Sequence, residues 1–376
     1  MIYVFYNNDP LAQDQGGGAE HFRALHRNLL LSGLPFHLVA SRLQHEREAP
    51  HITYVASGGG FLSFWLGTWR WFWRHRHEIA DGDVFHFHRN YAAWPKYVLV
   101  PDRGRVIISY HNVSGRYLEA ALGRLARPLR ALMLWWERRA VARADAIVCV
   151  SGRDRAILEQ VVARAPFVRA TVIPASFDAE LFRRVAPRPP APELARRVLF
   201  LGRMSRQKNV PLAIAVIEHL REMGERFALT LVGDGEETRA VMRRIAHSPA
   251  REQIRWLGRV PHDRVPELFA THGLLLVTSQ FEASPTVVKE ALAAMRPVVT
   301  TDVGDVSEWI EEGVTGFICP AEVSALARGV CAASRLVAEG RCRPSTRLEA
   351  ASEREVIRRV LALYRELQAG RDGAVA

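Results

Sequence analysis

Short apolar runs alternate with longer amphipathic stretches along most of this chain. Residues 2–6, 36–40, 84–88, 106–110, 146–150 and 171–173 have strand length and little polar character, as parallel strands covered on both faces do. Helical patterns separate them: one begins near Ala19, one runs over 117–144 with a break at Pro128, and one follows Ser151, a good N-cap. A proline-rich stretch, 186–192, interrupts the rhythm, which then restarts with strands at 198–201, 227–232, 254–257, 274–277, 298–301 and 317–319. A last amphipathic helix, 353–368, places Val356, Ile357, Val360, Leu361 and Tyr364 on one face. The expected fold class is α/β, with two doubly wound parallel sheets facing each other across a cleft. The expected domains are 1–185, 186–350, and a terminal segment 351–376 returning to the first domain.

The chemistry concentrates at 278–297. Ser284 is the expected N-cap and Pro285 the first helical residue of a helix running to about Met295 and stopped by Pro297. Its first N–H groups, at Thr286 and Val287, suit a phosphate or a sugar hydroxyl. Glu282 precedes the helix and Glu290 lies one turn in, on the face of Thr286 and Val287. Two carboxylates bracketing such a helix start can grip polyol groups on either side of a phosphate, although a surface glutamate and a chance helical one fit the same letters. Arg203 and Lys208 follow the strand at 198–201, ahead of a helix that Asn209 can cap, and add two cations for one diphosphate. Lys96, Lys208 and Lys289 are the only lysines in an arginine-rich chain, so Lys208 departs from its habit. In the first half, Gly16, Gly17 and Gly18 lie between the first strand and the first helix, where backbone can approach a ligand. His111 follows a strand's carboxyl end, the ligand side of an open sheet, whereas His86 and His88 read as structural.

Length and charge narrow the classes. A chain of 376 residues accommodates two domains, and its four cysteines have no metal-ligand spacing and suit a reducing compartment. The first residues read as a strand rather than a leader, and no apolar run is long enough to span a bilayer. A net charge of +11 calls for a polyanionic neighbour, yet no recognition helix, aromatic platform or zinc pattern points to nucleic acid. Asp81-Gly82-Asp83 mimics a metal-binding D-x-D, but it precedes a strand and reads as a turn.

The segments LFLGRMSRQKN, LTLVGDGEE, IRWLGRVPHDRVPELFA and FEASPTVVKEALAAMRPVVTTDVGDVSEWIEEGVTGFI, in this order, resemble the family 4 retaining glycosyltransferases of GT-B fold. The glycine loop, SYHN, ADAIVCVS and VIPASFDAELF extend the resemblance more loosely over the first half. It implies two Rossmann-like domains and a nucleotide-diphosphate sugar donor of UDP or GDP type, without metal or other cofactor. It implies that Arg203 and Lys208 hold the diphosphate and that Glu290 binds the ribose. Glu282, with N–H groups from Ala283, Ser284, Pro285 (which has none to give), Thr286 and Val287, would orient the sugar and distal phosphate. Gly16 and Gly17 would close on the phosphates, His111 would sit by the reacting sugar, and Arg259 and Val260 would contact the base. The family often has Gly where this chain has Ala283 and His-Asp where it has His111-Asn112, which removes a carboxylate from His111. No carboxylate is placed as a double-displacement nucleophile, so retention implies same-face attack through an oxocarbenium-like state. A phosphorylase or sugar-nucleotide epimerase relative, a transferase acting on a soluble acceptor, and a basic polyanion-binding protein are the competing readings.

One stretch remains. In 61–77, Phe61, Trp65, Trp69 and Trp73 recur every four residues beside Leu62, Leu66 and Phe72, and Arg70, Arg74, His75, Arg76 and His77 follow. A second basic and apolar stretch, 124–139, carries Leu132, Leu134, Trp135 and Trp136. One core face can hardly accept all of these, so some are expected on the surface, at an anionic membrane holding a lipid-linked glycan acceptor. This places the protein in the cytoplasm, peripheral on the inner face of the membrane; its oligomeric state has no signal in the sequence.

Overall fold

The computed structural model describes residues 1–12, 17–43, 48–58, 60–111, 127–162, 170–185 and 189–370. The chain forms two compact units, Met1–Ser176 with Glu353–Ala376, and Phe177–Ser352. The first contains a seven-stranded parallel sheet, β1 (Ile2–Tyr6), β2 (Phe36–Arg42), β3 (Ile52–Ser57), β4 (Val84–Phe87), β5 (Arg105–Tyr110), β6 (Ala146–Cys149) and β7 (Ala170–Val172), in the order β3-β2-β1-β4-β5-β6-β7. β3 was not expected from the sequence: ITYVAS is a half-buried edge strand, so it lacks the dense apolar run of the central ones. Among the described residues the helices of this part of the chain are α1 (Gly17–Ser32), α2 (Phe61–His75), α3 (Trp94–Leu99), α4 (Arg127–Val141) and α5 (Gly152–Val162). α4 begins at Arg127, which puts Pro128 in its first turn, where no N–H is needed. The remainder of the expected 117–144 helix lies outside the described residues. Ser151 caps α5 as expected, its Oγ accepting the Asp154 N–H at 3.0 Å.

The second unit contains α6 (Ala179–Val185), β8 (Arg197–Leu201), α7 (Val210–Glu222), β9 (Ala228–Val232), α8 (Thr238–Ala246), β10 (Ile254–Trp256), α9 (Val265–Thr271), β11 (Leu274–Val277), α10 (Thr286–Ala293), β12 (Val298–Thr301), α11 (Val306–Trp309), β13 (Gly316–Cys319) and α12 (Val323–Ala338). Its six parallel strands run in the order β10-β9-β8-β11-β12-β13. Both domains are therefore Rossmann-like parallel sheets between layers of helices. The last helix, α13 (Glu353–Ala369), belongs to the first unit, where Val356, Ile357, Val360 and Tyr364 pack with Phe22, Leu25 and Leu29 of α1 over one face of the sheet.

The boundary differs from that expected at 185/186. The units divide at Ser176–Phe177, and α6, ahead of the proline-rich stretch, packs the fully buried Phe182 into the second unit's core. Apolar burial assigns a segment to its domain; proline content marks only an irregular backbone.

The aromatic stretch divides between core and surface. Phe64, Trp71 and Phe72 of α2 join Tyr97 of α3 and Ala140 and Val141 of α4 over the other face of the first sheet. Phe61 (56%), Leu62 (59%), Leu66 (53%) and Trp73 (59%) remain exposed, as do Leu132 and Trp135 of α4. Trp65 and Trp69 are half-buried, edge to face at 5.9 Å between ring centroids. No helix among the described residues is long and apolar enough to cross a membrane.

Candidate functional site

In a doubly wound sheet, ligands gather where the strand order reverses, outside the carboxyl ends of the two strands flanking the switch. In the second unit those strands are β8 and β11, paired directly through Leu274↔Val198 and Leu275↔Leu199. The loop after β8 carries Arg203 and Lys208; the loop after β11 carries Glu282 and leads into α10. Lys208 Nζ donates to Glu282 Oε1 at 2.5 Å, joining residues 74 positions apart across the switch point. Ser279 Oγ donates to the same oxygen at 2.9 Å, and Gln207 Nε2 donates to Oε2 at 3.3 Å and to the Phe281 carbonyl at 2.9 Å. Glu282 is thus a clamped carboxylate, not the loose surface glutamate that the sequence allowed.

α10 starts one residue later than expected. Pro285 is its N-cap, with extended backbone, and no side chain caps the first turn. Ser284, the expected cap, turns away and donates to Asp305 Oδ2 at 2.5 Å. The helix ends at Ala293 rather than near Met295, because Met295 adopts a left-handed conformation (φ 57°) and the Arg296 N–H closes back on the Ala291 carbonyl. Asn209, also expected to cap, occupies the N-cap position of α7 in a left-handed conformation, without a side-chain bond to the helix.

Glu290 lies on the inner face of α10, 5% exposed, with Thr286 one turn before it. Burial pushes its carboxyl up to about 7, against the opposing pull of the Thr286 hydroxyl and the charges of Lys208 and Lys289. His262 Nε2 stands 4.0 Å from Glu290 Oε1, with its ring edge-on to Phe182 at 5.9 Å. A carboxylate held in an apolar wall, and half-charged near neutrality, can accept two neighbouring hydroxyls that bring their own hydrogens.

Arg203 is largely exposed and pairs with Glu236 at 3.1 Å, a surface contact weak enough to exchange for an anion. Its loop lies on the β9 turn: Gly233 adopts φ 129°, and a Cβ there would come 2.0 Å from the Gly202 carbonyl oxygen. Arg259 is exposed, and its positive charge contributes to holding Asp234 below the ordinary carboxylate range, after the Thr238 and Gly235 hydrogen bonds; Val260 is half-buried against the core of this unit. Below the Glu282 loop, the turn after β12 comes so close that a Cβ on Gly304 (φ 56°) would lie 2.6 Å from the Ala283 carbonyl oxygen.

The first unit gathers a separate group. His111, just past β5, accepts or donates at 2.9 Å between its Nε2 and His88 Nδ1, stacks on Tyr6, and has the His21 ring of α1 at 5.9 Å. Burial, with the neighbouring charges of His21, Arg89 and His86, holds it well below the ordinary imidazole range, so it is neutral at physiological pH. His86 is structural, bonded to the Tyr364 hydroxyl and Ser109 Oγ at 2.6 Å each. Gly17 is the first residue of α1; Gly16 and Asn112 lie outside the described residues. The D-x-D is a turn, with Asp83 Oδ2 accepting the Ala80 N–H at 2.8 Å. Among the described residues no cluster of three or more His, Cys, Asp or Glu side chains is arranged to hold a metal.

The structure therefore brings Lys208, Glu282, Glu290 and the start of α10 together, and places His111 and Gly17 in the other unit. Sequence reading missed Gln207, Ser279, His262, Lys289 and Asp305. Lys289 carried a signal, as the one of the chain's three lysines that lies on the site's own helix, and Ser279 is only three positions from Glu282; Gln207, His262 and Asp305 become visible through contacts between distant positions.

Residues 184–335 match the family described as Glycosyl transferases group 1, and residues 15–181 match Glycosyltransferase Family 4. Alpha-D-kanosaminyltransferase of Streptomyces kanamyceticus is 25% identical over 73% of this chain and 75% of its own length. Glycogen synthase of Mycobacterium tuberculosis is 28% identical over 66% of this chain, which spans only 59% of that enzyme. Among solved structures, sucrose-phosphate synthase from Thermosynechococcus elongatus superposes with a TM-score of 0.77 at 19% identity, covering 98% of this chain and 99% of its own. Anabaena HepE, solved in complex with UDP and glucose, has a TM-score of 0.68 at 17% identity over 96% of this chain and 98% of its own. These last two likenesses concern the fold. With the two family matches following one another along nearly the whole sequence, the chain belongs to the family 4 glycosyltransferases of GT-B fold.

Proposed function

We propose that this glycosyltransferase moves a hexosyl group from a UDP- or GDP-sugar to a hydroxyl acceptor with retention of configuration and without a metal ion. The observation that carries the reading is the Lys208–Glu282 pair across the β8/β11 switch point, beside an uncapped helix start. In the donor complex, the diphosphate takes the first-turn N–H groups of α10, at Thr286 and Val287, together with Lys208 and Arg203. Glu290 accepts the two ribose hydroxyls. Arg259 and Val260 flank the base. Glu282, with the Ala283 N–H beside it, turns from Lys208 to the hydroxyls of the transferred sugar. As the glycosidic bond breaks, negative charge grows on the distal phosphate, where two cations and a helix dipole already point. That phosphate then takes the acceptor proton from the same face of the sugar. Positive charge supplied in this way replaces the divalent ion that other diphosphate sites use. The bound nucleotide needs no other cofactor.

The acceptor we assign is a lipid-linked glycan of cell-surface polysaccharide or lipopolysaccharide synthesis, reached by a cytoplasmic enzyme peripheral to an anionic membrane. In support, α2 and α4 both pack on the 90–93 turn and expose Phe61, Leu62, Leu66, Trp73, Leu132 and Trp135. Arg70, Arg74 and Arg139 are exposed on the same two helices, and Arg139 lies 4.7 Å over the Trp135 ring. Apolar anchors ringed by arginine match an interface rich in anionic headgroups. The test of the donor site is a melting-temperature series with UDP-, GDP- and ADP-sugars: a shift with one base family is expected, and no shift with any of them refutes the reading.

A further inference from the structure

We infer that Lys289, Ser284 and Asp305 form a buried latch that shapes the phosphate-binding end of α10; the inference rests on the donor site proposed above. Lys289 is fully buried on the fourth residue of the helix. Its Nζ donates to Ser284 Oγ at 2.5 Å, approaches Asp305 Oδ2 at 3.4 Å, and lies 4.9 Å from the centre of the Trp309 ring. Ser284 Oγ passes its own hydrogen to that same Asp305 oxygen. Asp305 is also buried, and its Oδ1 has no hydrogen-bond partner among the described residues.

An interior ion pair of this kind contributes little net stability compared with apolar side chains of equal volume. Its effect here is on geometry. Serine is among the strongest N-cap formers, and from the residue before Pro285 it is drawn off the helix toward Asp305. The first-turn N–H groups are consequently left without a side-chain cap, in a condition to receive a phosphate. The latch also ties the Glu282 loop to the turn after β12, which Gly304 already brings against the Ala283 carbonyl. Lys289 further offsets the Asp305 carboxylate, which otherwise places negative charge beneath the anion site. Lys289, Ser284 and Asp305 are thus positioning residues for the diphosphate. Glu290, the next residue along the helix, grips the nucleoside; it makes no hydrogen bond to Ser284 or Asp305, and of the three latch residues only the Lys289 charge acts on it.

The separation of phosphate from nucleoside gives the test. The paired substitution Lys289→Met with Asp305→Asn replaces the ion pair by neutral groups of similar size, and Ser284→Ala removes the shared hydroxyl while leaving the pair. Binding of the nucleoside diphosphate and of the matching free nucleoside is measured by calorimetry on each full-length variant, with the melting temperature recorded alongside. Both variants are expected to keep a cooperative melt and to lose about tenfold in diphosphate affinity; Ser284→Ala, which leaves the Lys289 charge beside Glu290, is expected to bind the nucleoside like the parent, and the paired variant to lose much less for the nucleoside than for the diphosphate. Parental diphosphate affinity in both variants overturns the inference, as does an equal loss for nucleoside and diphosphate. Collapse of the melt in both variants assigns the latch to folding alone and overturns it as well. If the parent protein binds no nucleoside diphosphate at all, it is the donor-site reading that fails.

Discussion

Glu290 concentrates the site's residue-scale physics. It is a carboxyl buried in an apolar wall, faced by Lys208, Lys289, His262 and the Thr286 hydroxyl, and pushed up to about 7. Ribose hydroxyls need an ionised acceptor, so donor affinity rises with pH through about 7 and levels off above it; a flat profile between pH 6 and 8 contradicts the assignment. Stability moves the other way. A folded-state pKa above the unfolded value favours the native state fully below about 4.5 and loses that advantage as pH climbs through about 7. Glu290→Gln, which cannot ionise, is therefore expected to melt with the parent at pH 4 and to be more stable at pH 8 by about 3 kcal/mol. Calorimetric scans at the two pH values check this. The same substitution weakens the donor complex, a stability gained against function. Glu290→Ala and Lys208→Ala are each expected to cost about 2–4 kcal/mol of transition-state stabilisation while leaving the fold intact. Unaltered donor kinetics in both variants remove the site from these residues.

At the scale of elements, α2 has one face in the core and an apolar face on the surface. Phe64, Trp71 and Phe72 fix it to the sheet, so their truncation costs folding stability, whereas Leu66 and Trp73 point outward. We expect the protein to sediment with vesicles containing anionic lipid at low salt and to be released in part as salt is raised. Leu66→Ser with Trp73→Ser is expected to reduce that binding by on the order of tenfold, through lost apolar insertion, with donor binding unchanged. Parental protein that ignores anionic vesicles points instead to a soluble acceptor. Exposed positions are chosen because Trp65 and Trp69, half-buried and in mutual contact, belong partly to the core.

For the molecule as a whole, the net charge of +11 and the dipole of α10 both suit the proposed anionic donor and anionic surface. On the proposed reading, side-chain cations and helix N–H groups meet that demand in place of a divalent ion. Transfer is expected to continue in excess EDTA; activity abolished by EDTA and restored by Mg²⁺ or Mn²⁺ contradicts this. The division into units at Ser176–Phe177 and Ser352–Glu353 makes α13 the last piece of the first domain. Truncation before Glu353 strips Val356, Ile357, Val360 and Tyr364 from that core and is expected to unfold the first domain, which limited proteolysis reads directly.

What the sequence determined by itself is local. The apolar run at 274–277 and the β-branched run at 298–301 are the observed strands, because short runs of that kind without a charged residue fit between two layers. The Glu282-to-Glu290 spacing around a helix start, and the cations after β8, were likewise legible, since they depend on residues a few positions apart. The tertiary structure decided what depends on distant partners. Strand order set β8 beside β11 and so joined Lys208 to Glu282. Asp305, beyond the next strand, outcompeted the N-cap for the Ser284 hydroxyl. Packing against the sheet chose which tryptophans α2 buries, and the apolar face of α6, not the prolines after it, assigned that helix to the second unit. Local propensities are worth about 1 kcal/mol per residue or less, and a long-range contact that satisfies a buried polar group or covers an aromatic ring outweighs them.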